Sequence, residues 1–396
     1  MPLTHNGWRG FQQVQTLFDL EQADRRHRDF PRSATLVVVA NNASSQWTNA
    51  ADYVCDGSSD QIEIQAAIDR MPSSGGQVLF SDGLFVISTA IALSSGQNKI
   101  RLSGQGKATT IQLTSAARGP MLAMTQASSC IVEYLRFDGN LANSTGTAGA
   151  DGIRSSGVTD CLFQHIEVSS ALGSGILLFG NSHRNRVLNS RFIDNYDRNI
   201  VVQDQSNDNV IAYNYCSSCS FDANIELRFG PDRTWIVGNH VTDGPGSGIG
   251  VSASSGSTAF SIDGVWILNN WIDQNDLTPD SRLQAGISIS GSSGSVVTGI
   301  VVDHRQVAHA FVDEGVDQFG GRPGIAETAD HDDMPVAAAV PRIRYGHPDI
   351  RCRWPATSGS GYSVRFRFVY GARVTQPVPV DLAISSGMRL DVEHWQ

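Results

Sequence analysis

The chain is poor in charge and especially in lysine. Charged residues make up 17% of its 396 residues, and Lys99 and Lys107 are the only lysines. The net charge is −10, and no basic stripe runs along the sequence. An acidic chain of this kind is not expected to have nucleic acid as its main partner. The charge also disfavours strong binding to a polyanionic polysaccharide, unless arginines cluster locally in the fold.

Cysteine is scarce as well, because six cysteines in a chain of this length do not make a disulfide framework. Cys216 and Cys219 form a C-x-x-C pair, but the second pair of cysteines or histidines that a zinc site needs is missing. A redox or metal role is the alternative that this motif leaves open. We expect buried or turn thiols there instead, and we expect no metal and no cofactor in the protein.

Long apolar runs are absent. The first thirty residues contain no apolar core of the length that a signal peptide requires, and no stretch approaches a transmembrane span. We therefore expect a chain that is made in the cytoplasm without a signal peptide and that does not insert into a membrane.

Glycine is abundant, at 39 residues, and it takes part in a repeat. A small residue or Asn followed by Ile recurs with spacings of 23, 24, 25, 24 and 38 residues. The isoleucines of these steps are Ile153, Ile176, Ile200, Ile225, Ile249 and Ile287. A second apolar landmark keeps nearly the same period, from Val132 through Cys161, Val187, Ile211 and Ile236 to Ile267. The 38-residue step predicts an inserted loop within 252–281.

A repeat of about 24 residues, made of short alternating strands and polar turns, cannot bury its own apolar face. Stacking successive repeats forms the core and satisfies the hydrogen bonds of the strands. Leucine-rich repeats share the period, but their Leu/Asn consensus and helical half are missing. We therefore predict an all-β fold, a single-stranded right-handed parallel β-helix with an N-terminal helical cap and a small C-terminal β-rich module.

Four regions are predicted along the chain. Residues 1–50 form an N-terminal helix and attachment segment, and residues 51–317 form the parallel β-helix with a capping helix at 60–71. In that helix, Asp60 is the N-cap, and the apolar face consists of Ile62, Ile64, Ala67, Ile68 and Met71. Residues 318–340 are a linker, and 341–396 form the β-rich module for assembly or capping.

Residues 51–106 resemble the N-terminal cap and first coils of the pectate lyase superfamily. The matching parts are D-G-x-x-D, a helix with Q-A-A-I-D, a G-G-x-V strand, a D-G-x-F-x-I strand and an L-x-G-x-G turn. The catalytic patterns of that group are missing, and the nearest approach to the W-I-D-H pattern of the calcium-dependent lyases is W-I-D-Q at 271–274. The resemblance implies the fold and leaves the reaction open.

A β-helix with no secretion signal, an N-terminal helix and a C-terminal β module also resembles a bacteriophage tailspike or tail-fibre protein. That resemblance implies a homotrimer in the virion tail that binds host cell-surface glycan and can depolymerise it. It also implies that the N-terminal segment binds other virion tail proteins. Two alternatives remain, a non-catalytic structural protein of the tail and a free bacterial polysaccharide lyase or hydrolase.

The repeat also predicts a cluster of acids. Asp197 and Asp222 occupy the same column, two residues before Asn199 and Asn224, so their carboxyl groups should lie about 5 Å apart in stacked coils. Two carboxyls this close, one with a raised pKa, are what a glycosidase needs. Glu226 follows one of the repeated isoleucines and faces outward, and it completes the predicted catalytic set. The alternative is that aspartate simply suits a turn.

Four further residues are predicted to bind substrate beside these acids: Arg228, Gln203, Asp204 and Arg154. The alternative for Glu226 and Arg228 is a surface salt bridge. A column of asparagines, Asn189, Asn214, Asn239 and Asn270, predicts an inward amide ladder that joins coil to coil. Trp235, Trp266 and Trp271 are either core residues or exterior platforms for sugar rings.

Overall fold

Between Gly76 and Ser252 each coil adds one strand to each of three parallel sheets, which confirms the predicted parallel β-helix. The computed structural model describes residues 34–144, 150–255, 258–273, 275, 286–290 and 296–302, together with the strands at 350–353, 363–368 and 389–394. Successive strands of one sheet come from successive coils, so the sheets run along the axis of the solenoid and enclose its core. The helices described are too short to cross a membrane.

We name the sheets A, B and C in the order in which each coil visits them. In their order across sheet A, its strands are Tyr53–Val54, Thr35–Val39, Gly76–Phe80, Ile100–Ser103, Ile131–Glu133, Leu162–Gln164, Arg186–Leu188, Val210–Ala212, Trp235–Val237, Trp266–Leu268, Val296–Val302, Ser363–Phe368 and Arg389–His394, with Ser261–Asp263 beside Val296–Val302. Those of sheet B are Gly83–Ile87, Thr109–Leu113, Arg136–Asp138, Glu167–Ser169, Arg191–Ile193, Tyr215–Ser217, His240–Thr242 and Trp271–Ile272. Those of sheet C are Ile91–Leu93, Leu122–Thr125, Ile153–Ser156, Ile176–Phe179, Ile200–Gln203, Ile225–Arg228, Ile249–Ser252, Ile287–Ser290 and Ile350–Arg353.

The repeated isoleucines form one inward column of sheet C, as the sequence predicts. From Ile153 to Ile287 each pairs with the next, and all are buried. Because side chains alternate across a strand, the residue after each isoleucine faces outward. The core is therefore a set of parallel apolar columns, in which every side chain packs on the equivalent residue of the neighbouring coils.

The second landmark belongs to two strands and not to one. Its first half lies in sheet A and its second half in sheet B, and Val132 pairs with Phe163, not with Cys161 as the sequence alignment placed it. The residue between the two strands has a positive φ in every coil from 134 to 269, and examples are Tyr134, Asn189 and Tyr213. A single left-handed residue turns the chain sharply, so an apparently continuous six-residue pattern is split at a corner.

The capping helix spans Gln61–Asp69 and closes the first coils. Asp60 is its N-cap residue, but its carboxylate accepts the backbone N–H groups of Gly57 and Val86 instead of capping the helix. Ile64, Ala67 and Ile68 are buried as predicted, whereas Ile62 is 62% exposed and its assignment to the apolar face was wrong. The remaining helices are short: Ser45–Thr48 is α-helical, and Gly106–Ala108 and Leu141–Asn143 are 3-10 turns.

Buried asparagines bond one coil to the next just after the A–B corner. The Asn214 backbone N–H and side-chain Nδ2 both donate to Asn239 Oδ1, at 2.9 and 3.0 Å, and Asn239 donates in the same way to Asn270 Oδ1, at 2.9 Å in both bonds. The predicted ladder is confirmed for these three residues. Its assignment to Asn189 was wrong, because that residue occupies the exposed left-handed corner and Ser190 takes the inward place.

The long step between Ile249 and Ile287 is an insertion, as predicted, since the two residues pair directly across sheet C. Part of it lies between sheets C and A, where Ser254–Ser255 and Thr258–Ala259 form a small antiparallel hairpin. The remainder of the step follows Ile272 in sequence and lies mostly outside the described residues. The strands on either side of the insertion keep their register, since Ile249 still pairs with Ile287.

The described strands near both ends of the chain join the sheets of the solenoid. Thr35–Val39 pairs in parallel with Gly76–Phe80 in sheet A, within the predicted N-terminal segment. Ile350–Arg353 pairs with Ile287–Ser290, and Ser363–Phe368 pairs with Val296–Val302, so described parts of the predicted C-terminal module continue sheets C and A. The predicted N-terminal helix and the linker at 318–340 lie outside the described residues.

The ladder predicts a large cost for removing one amide. Asn239→Ala leaves the buried backbone N–H of Asn214 without its acceptor and removes the Asn239 Nδ2 bonds to Asn270 Oδ1 and to the Ile211 carbonyl. We therefore expect it to lower the free energy of unfolding by about 2 kcal/mol. Asn189→Gly is the matched control, because glycine tolerates the left-handed corner and the side chain there is exposed. Urea unfolding of the three proteins measures this. Equal midpoints for Asn239→Ala and the control would show that the ladder contributes nothing.

Candidate functional site

The predicted acids meet where the chain passes from sheet B to sheet C. Asp197 and Asp222 lie in this turn in two successive coils, and Glu226 is the first outward residue of the sheet C strand that follows. Buried amides hold these turns in register: Asn199 Nδ2 donates to Asn224 Oδ1 at 2.6 Å, and Asn224 Nδ2 donates to Asn275 Oδ1 at 2.8 Å. The asparagine of each repeated Asn-Ile step therefore positions the acid two residues before it.

A buried arginine that the sequence analysis missed joins the three acids. Arg198 Nη1 donates to Asp197 Oδ1 at 2.6 Å, and Nη2 donates to Asp222 Oδ2 at 2.9 Å. Its Nε forms an ion pair with Glu226 Oε2. The two aspartates are thus bridged by a guanidinium and do not form an isolated carboxyl pair. We call these four residues the Arg198 cluster.

Charge in the Arg198 cluster is unbalanced, since three carboxyl groups face one buried guanidinium. Arg228 Nη1 lies 3.9 Å from Glu226 Oε2 and adds a second positive charge. Burial raises the pKa of Glu226 to about 7, and the attraction of Arg198 and Arg228 opposes this only in part. Burial by itself would lower the pKa of Arg198, but the surrounding carboxylates raise it, so the guanidinium stays charged. A protonated Glu226 leaves the cluster and Arg228 with equal numbers of positive and negative charges.

The hydrogen bonds of the Arg198 cluster extend one coil towards the N-terminus. Ser174 Oγ donates to Asp197 Oδ2 at 3.0 Å, while the Ser174 backbone N–H donates to Asp151 Oδ1 at 2.9 Å. Arg154, predicted to bind substrate, forms a 2.9 Å ion pair with Asp151 and so reaches the cluster only through this chain of bonds. Burial raises the pKa of Asp151, although Ser174 and Arg154 counteract it.

The other predicted binding residues lie further along the same strands. Gln203 pairs with Arg228 across sheet C, and Gln203 Nε2 donates to Asp204 Oδ2 at 3.1 Å. The Arg228 guanidinium also covers the ring of Phe229, at 4.4 Å from its centroid. These residues form a polar strip that continues from Glu226 along the outer face of sheet C.

Two exposed aromatic residues border the Arg198 cluster, and the sequence analysis missed them. Tyr196 is 44% exposed and Phe221 is 60% exposed, and each comes directly before one of the aspartates. The Arg198 guanidinium lies 5.8 Å from the Phe221 ring centroid. An aromatic residue next to an aspartate in two consecutive coils was the available sequence signal.

The thiols near these turns are buried. Cys216 faces the core from sheet B, and Cys219 lies in the turn after it. Burial raises the pKa of the Cys219 thiol to about 12 and also raises that of Cys216, so neither is the thiolate that redox or metal chemistry needs. The structure therefore favours the expected structural thiols.

Among the described residues, one group of three side chains offers ligand atoms close enough together for a metal. It consists of Cys55, Asp60 and Glu63, whose ligand atoms lie within 4.8 Å of one another beside the capping helix. Asp60 already accepts two backbone N–H groups there, and burial raises the pKa of the Cys55 thiol. This chemistry fits a structural cap better than a metal site.

Comparison with known proteins agrees with the arrangement of the coils. The family described as "Right handed beta helix region" matches residues 98–262. The chain carries a right-handed β-helix. No curated protein matches it in sequence.

Solved β-helices of several kinds resemble the chain at low identity. Geobacillus virus E2 ORF18 is 12% identical with a TM-score of 0.48, over 78% of this chain and 54% of that one, so the chain spans about half of that protein. The endo-xylogalacturonan hydrolase of Aspergillus tubingensis is 11% identical with a TM-score of 0.47, over 91% of this chain and 100% of that one. The AlgE4 A-module, a mannuronan C-5 epimerase of Azotobacter vinelandii, is 14% identical with a TM-score of 0.44, over 86% of this chain and 95% of that one. Likenesses of this degree assign no activity to this β-helix.

The raised pKa of Glu226 predicts a dependence of stability on pH. Between the ordinary value of 4.5 and about 7, the folded protein holds a proton that the unfolded chain has released. Stability contributed by this group is therefore present below that window and is lost as the pH rises through it. Glu226→Gln mimics the protonated acid at every pH. Between acidic and alkaline pH we therefore expect the free energy of unfolding to fall by about 1 to 3 kcal/mol less in Glu226→Gln than in wild type.

Urea unfolding of wild type and Glu226→Gln on both sides of this pH window measures the effect. Glu133→Gln is the matched control, since Glu133 is also a buried acid paired with an arginine, but in sheet A. An identical pH dependence in wild type and Glu226→Gln would contradict the raised pKa.

Proposed function

We propose that the chain is a polysaccharide-binding β-helix that hydrolyses its ligand at the Arg198 cluster. The observation that carries this proposal is the pairing of an exposed aromatic ring with an acid in two successive B–C turns. The apolar face of a sugar ring packs on an aromatic plane, and its hydroxyl groups bond carboxylates and guanidinium groups. Tyr196 and Phe221 supply the planes, and Asp197, Asp222 and Arg228 supply the polar contacts.

Glu226 is proposed as the general acid. Burial raises its pKa to about 7, so this side chain carries a proton in a large fraction of the molecules near neutral pH. A carboxylic acid in this state can protonate a glycosidic oxygen as the bond breaks. Asp197 or Asp222 would then act on the other side of the sugar, as nucleophile or as the base that activates water. To contact the sugar, Asp197 and Asp222 must each replace a contact with Arg198 by a contact with substrate. Both side chains are partly exposed, which permits this exchange.

A non-catalytic tail protein is the second candidate, and one observation favours it. The Glu226 side chain is almost fully buried against Arg198, so a substrate would reach it only after neighbouring side chains move. Under this alternative the Arg198 cluster only joins coils, and polysaccharide binds without being cleaved.

Glu226→Gln separates the two candidates. If Glu226 is the general acid, its removal should lower the release of reducing ends from a host capsule or lipopolysaccharide by at least about 100-fold. Wild-type activity should also fall as the pH rises above about 7, where Glu226 loses its proton. Glu133→Gln should keep full activity. Unchanged turnover in Glu226→Gln, or no release by wild type from any host glycan, would overturn the catalytic proposal.

The biological setting is part of the same proposal. We place the chain in a bacteriophage tail, as a homotrimer whose N-terminal segment attaches to other tail proteins and whose solenoid faces the host glycan. The support for it is the order of segments along the sequence and the rigid solenoid with its aromatic and acidic outer surface. Light scattering should give a particle of three chains in solution. A monomer would count against the appendage and in favour of a free enzyme.

A further inference from the structure

A second surface with aromatic side chains lies on sheet B, away from the Arg198 cluster. In four successive coils the first residue of the sheet B strand is Arg191, Tyr215, His240 and Trp271. These positions face outward, next to the left-handed A–B corner. Trp271 is 53% exposed, and Arg191 and His240 are exposed as well. We call these four residues the sheet B ridge.

Neighbouring side chains of the sheet B ridge contact one another along the solenoid axis. The Arg191 guanidinium lies 4.6 Å from the Tyr215 ring centroid, and the Tyr215 and His240 centroids are 5.1 Å apart. The His240 and Trp271 centroids are 6.1 Å apart. These contacts hold the rings in a continuous row, so a ligand meets a surface that is already ordered.

Positive charge gathers where this row begins. Lys107, Arg136 and Arg191 all converge on the one carboxylate of Glu167, at distances of 2.6, 3.5 and 3.4 Å. Asp138 lies 3.6 Å from Arg136 and is the second carboxylate there. Three cations, of which Lys107 and Arg191 are exposed and Arg136 is half-buried, thus face two acids, in a chain whose net charge is −10. This is the local clustering of basic residues that a polyanionic polysaccharide requires.

We propose that the sheet B ridge and its basic end bind a carboxylated polysaccharide that runs along the solenoid axis. Carboxylates of the glycan would pair with Lys107, Arg136 and Arg191, and its sugar rings would pack on Tyr215, His240 and Trp271. Strands of adjacent coils are about 4.8 Å apart, which is close to the length of one sugar unit in an extended chain. Successive sugars therefore meet equivalent positions in successive coils. This binding goes beyond the proposed function and does not need the Arg198 cluster to be catalytic.

Charge density favours a uronic acid polymer over a nucleic acid. Duplex DNA carries one charge per about 1.7 Å, which the acidic chain as a whole repels. A uronic acid polymer carries at most one charge per sugar, and three cations followed by three rings suit that lower density. A second copy of this chain is the other possible occupant of the sheet B ridge, and the effect of Tyr215→Ala on the oligomeric state distinguishes it from a polysaccharide.

Affinity electrophoresis in gels of polygalacturonate, alginate or hyaluronan tests the proposal, with neutral dextran as the reference. Wild type should be retarded by at least one of the acidic polymers, less so as salt is added, and not by dextran. Tyr215→Ala, and separately Arg136→Gln combined with Arg191→Gln, should weaken that retardation at least tenfold. Trp235→Ala is the matched control, because Trp235 is an exposed aromatic residue of sheet A that stacks on Trp266.

Urea midpoints of the variants show whether each has folded. If either Tyr215→Ala or the double arginine variant does not fold, the other still tests the proposal. No retardation of wild type by any acidic polymer would overturn the proposal, and so would equal weakening by Trp235→Ala. An oligomer in solution that Tyr215→Ala dissociates would assign the ridge to a second copy instead. Retardation without cleavage would support binding at the sheet B ridge and overturn the catalytic role of Glu226. Cleavage without retardation would support the catalytic role of Glu226 and overturn binding at the ridge.

Discussion

Hydrogen bonding between equivalent residues of successive coils is the constraint on which the rest of the structure depends. From Gly76–Phe80 to Ile249–Ser252, no described strand of the three main sheets pairs with its neighbour in sequence; each pairs with the strand one coil away. A repeat that slipped by one residue would turn its inward column outward. The buried amides at Asn214, Asn239 and Asn270 oppose such a slip, because each must meet the next at hydrogen-bond distance.

The same constraint brings distant residues into one site. Asp197 and Asp222 are neighbours because their turns stack, and Arg198 bonds both as a result. Glu226 then lies under the guanidinium, where burial sets its acidity. The sheet B ridge follows the same rule on another face, with one side chain from each coil. The proposed contacts with polysaccharide would therefore be organised as columns, and the coil spacing would determine the size of the sugar unit that each column recognises.

Much of this organisation could be predicted from the sequence. The isoleucine column, the outward place of Glu226 and the shared column of the two aspartates all follow from a period that the chain keeps for several repeats. The A–B corner could not be predicted in this way, because three-residue strands are too short to show where a pattern stops. That error placed Asn189 in the ladder and aligned Cys161 with Val132. Arg198 was missed because its equivalents in the two adjacent coils, Ser174 and Ala223, carry no charge, so no arginine recurs at that position.

The most direct measurement is a crystal structure of the protein with an oligosaccharide of the proposed host glycan. It should show sugar rings against Tyr196 and Phe221, with a glycosidic oxygen within about 3 Å of the Glu226 carboxyl group. Arg198 should have given up at least one of its aspartate contacts to the sugar. An Arg198 cluster that stays unchanged and contains no sugar would contradict the account, even if sugar occupies the sheet B ridge.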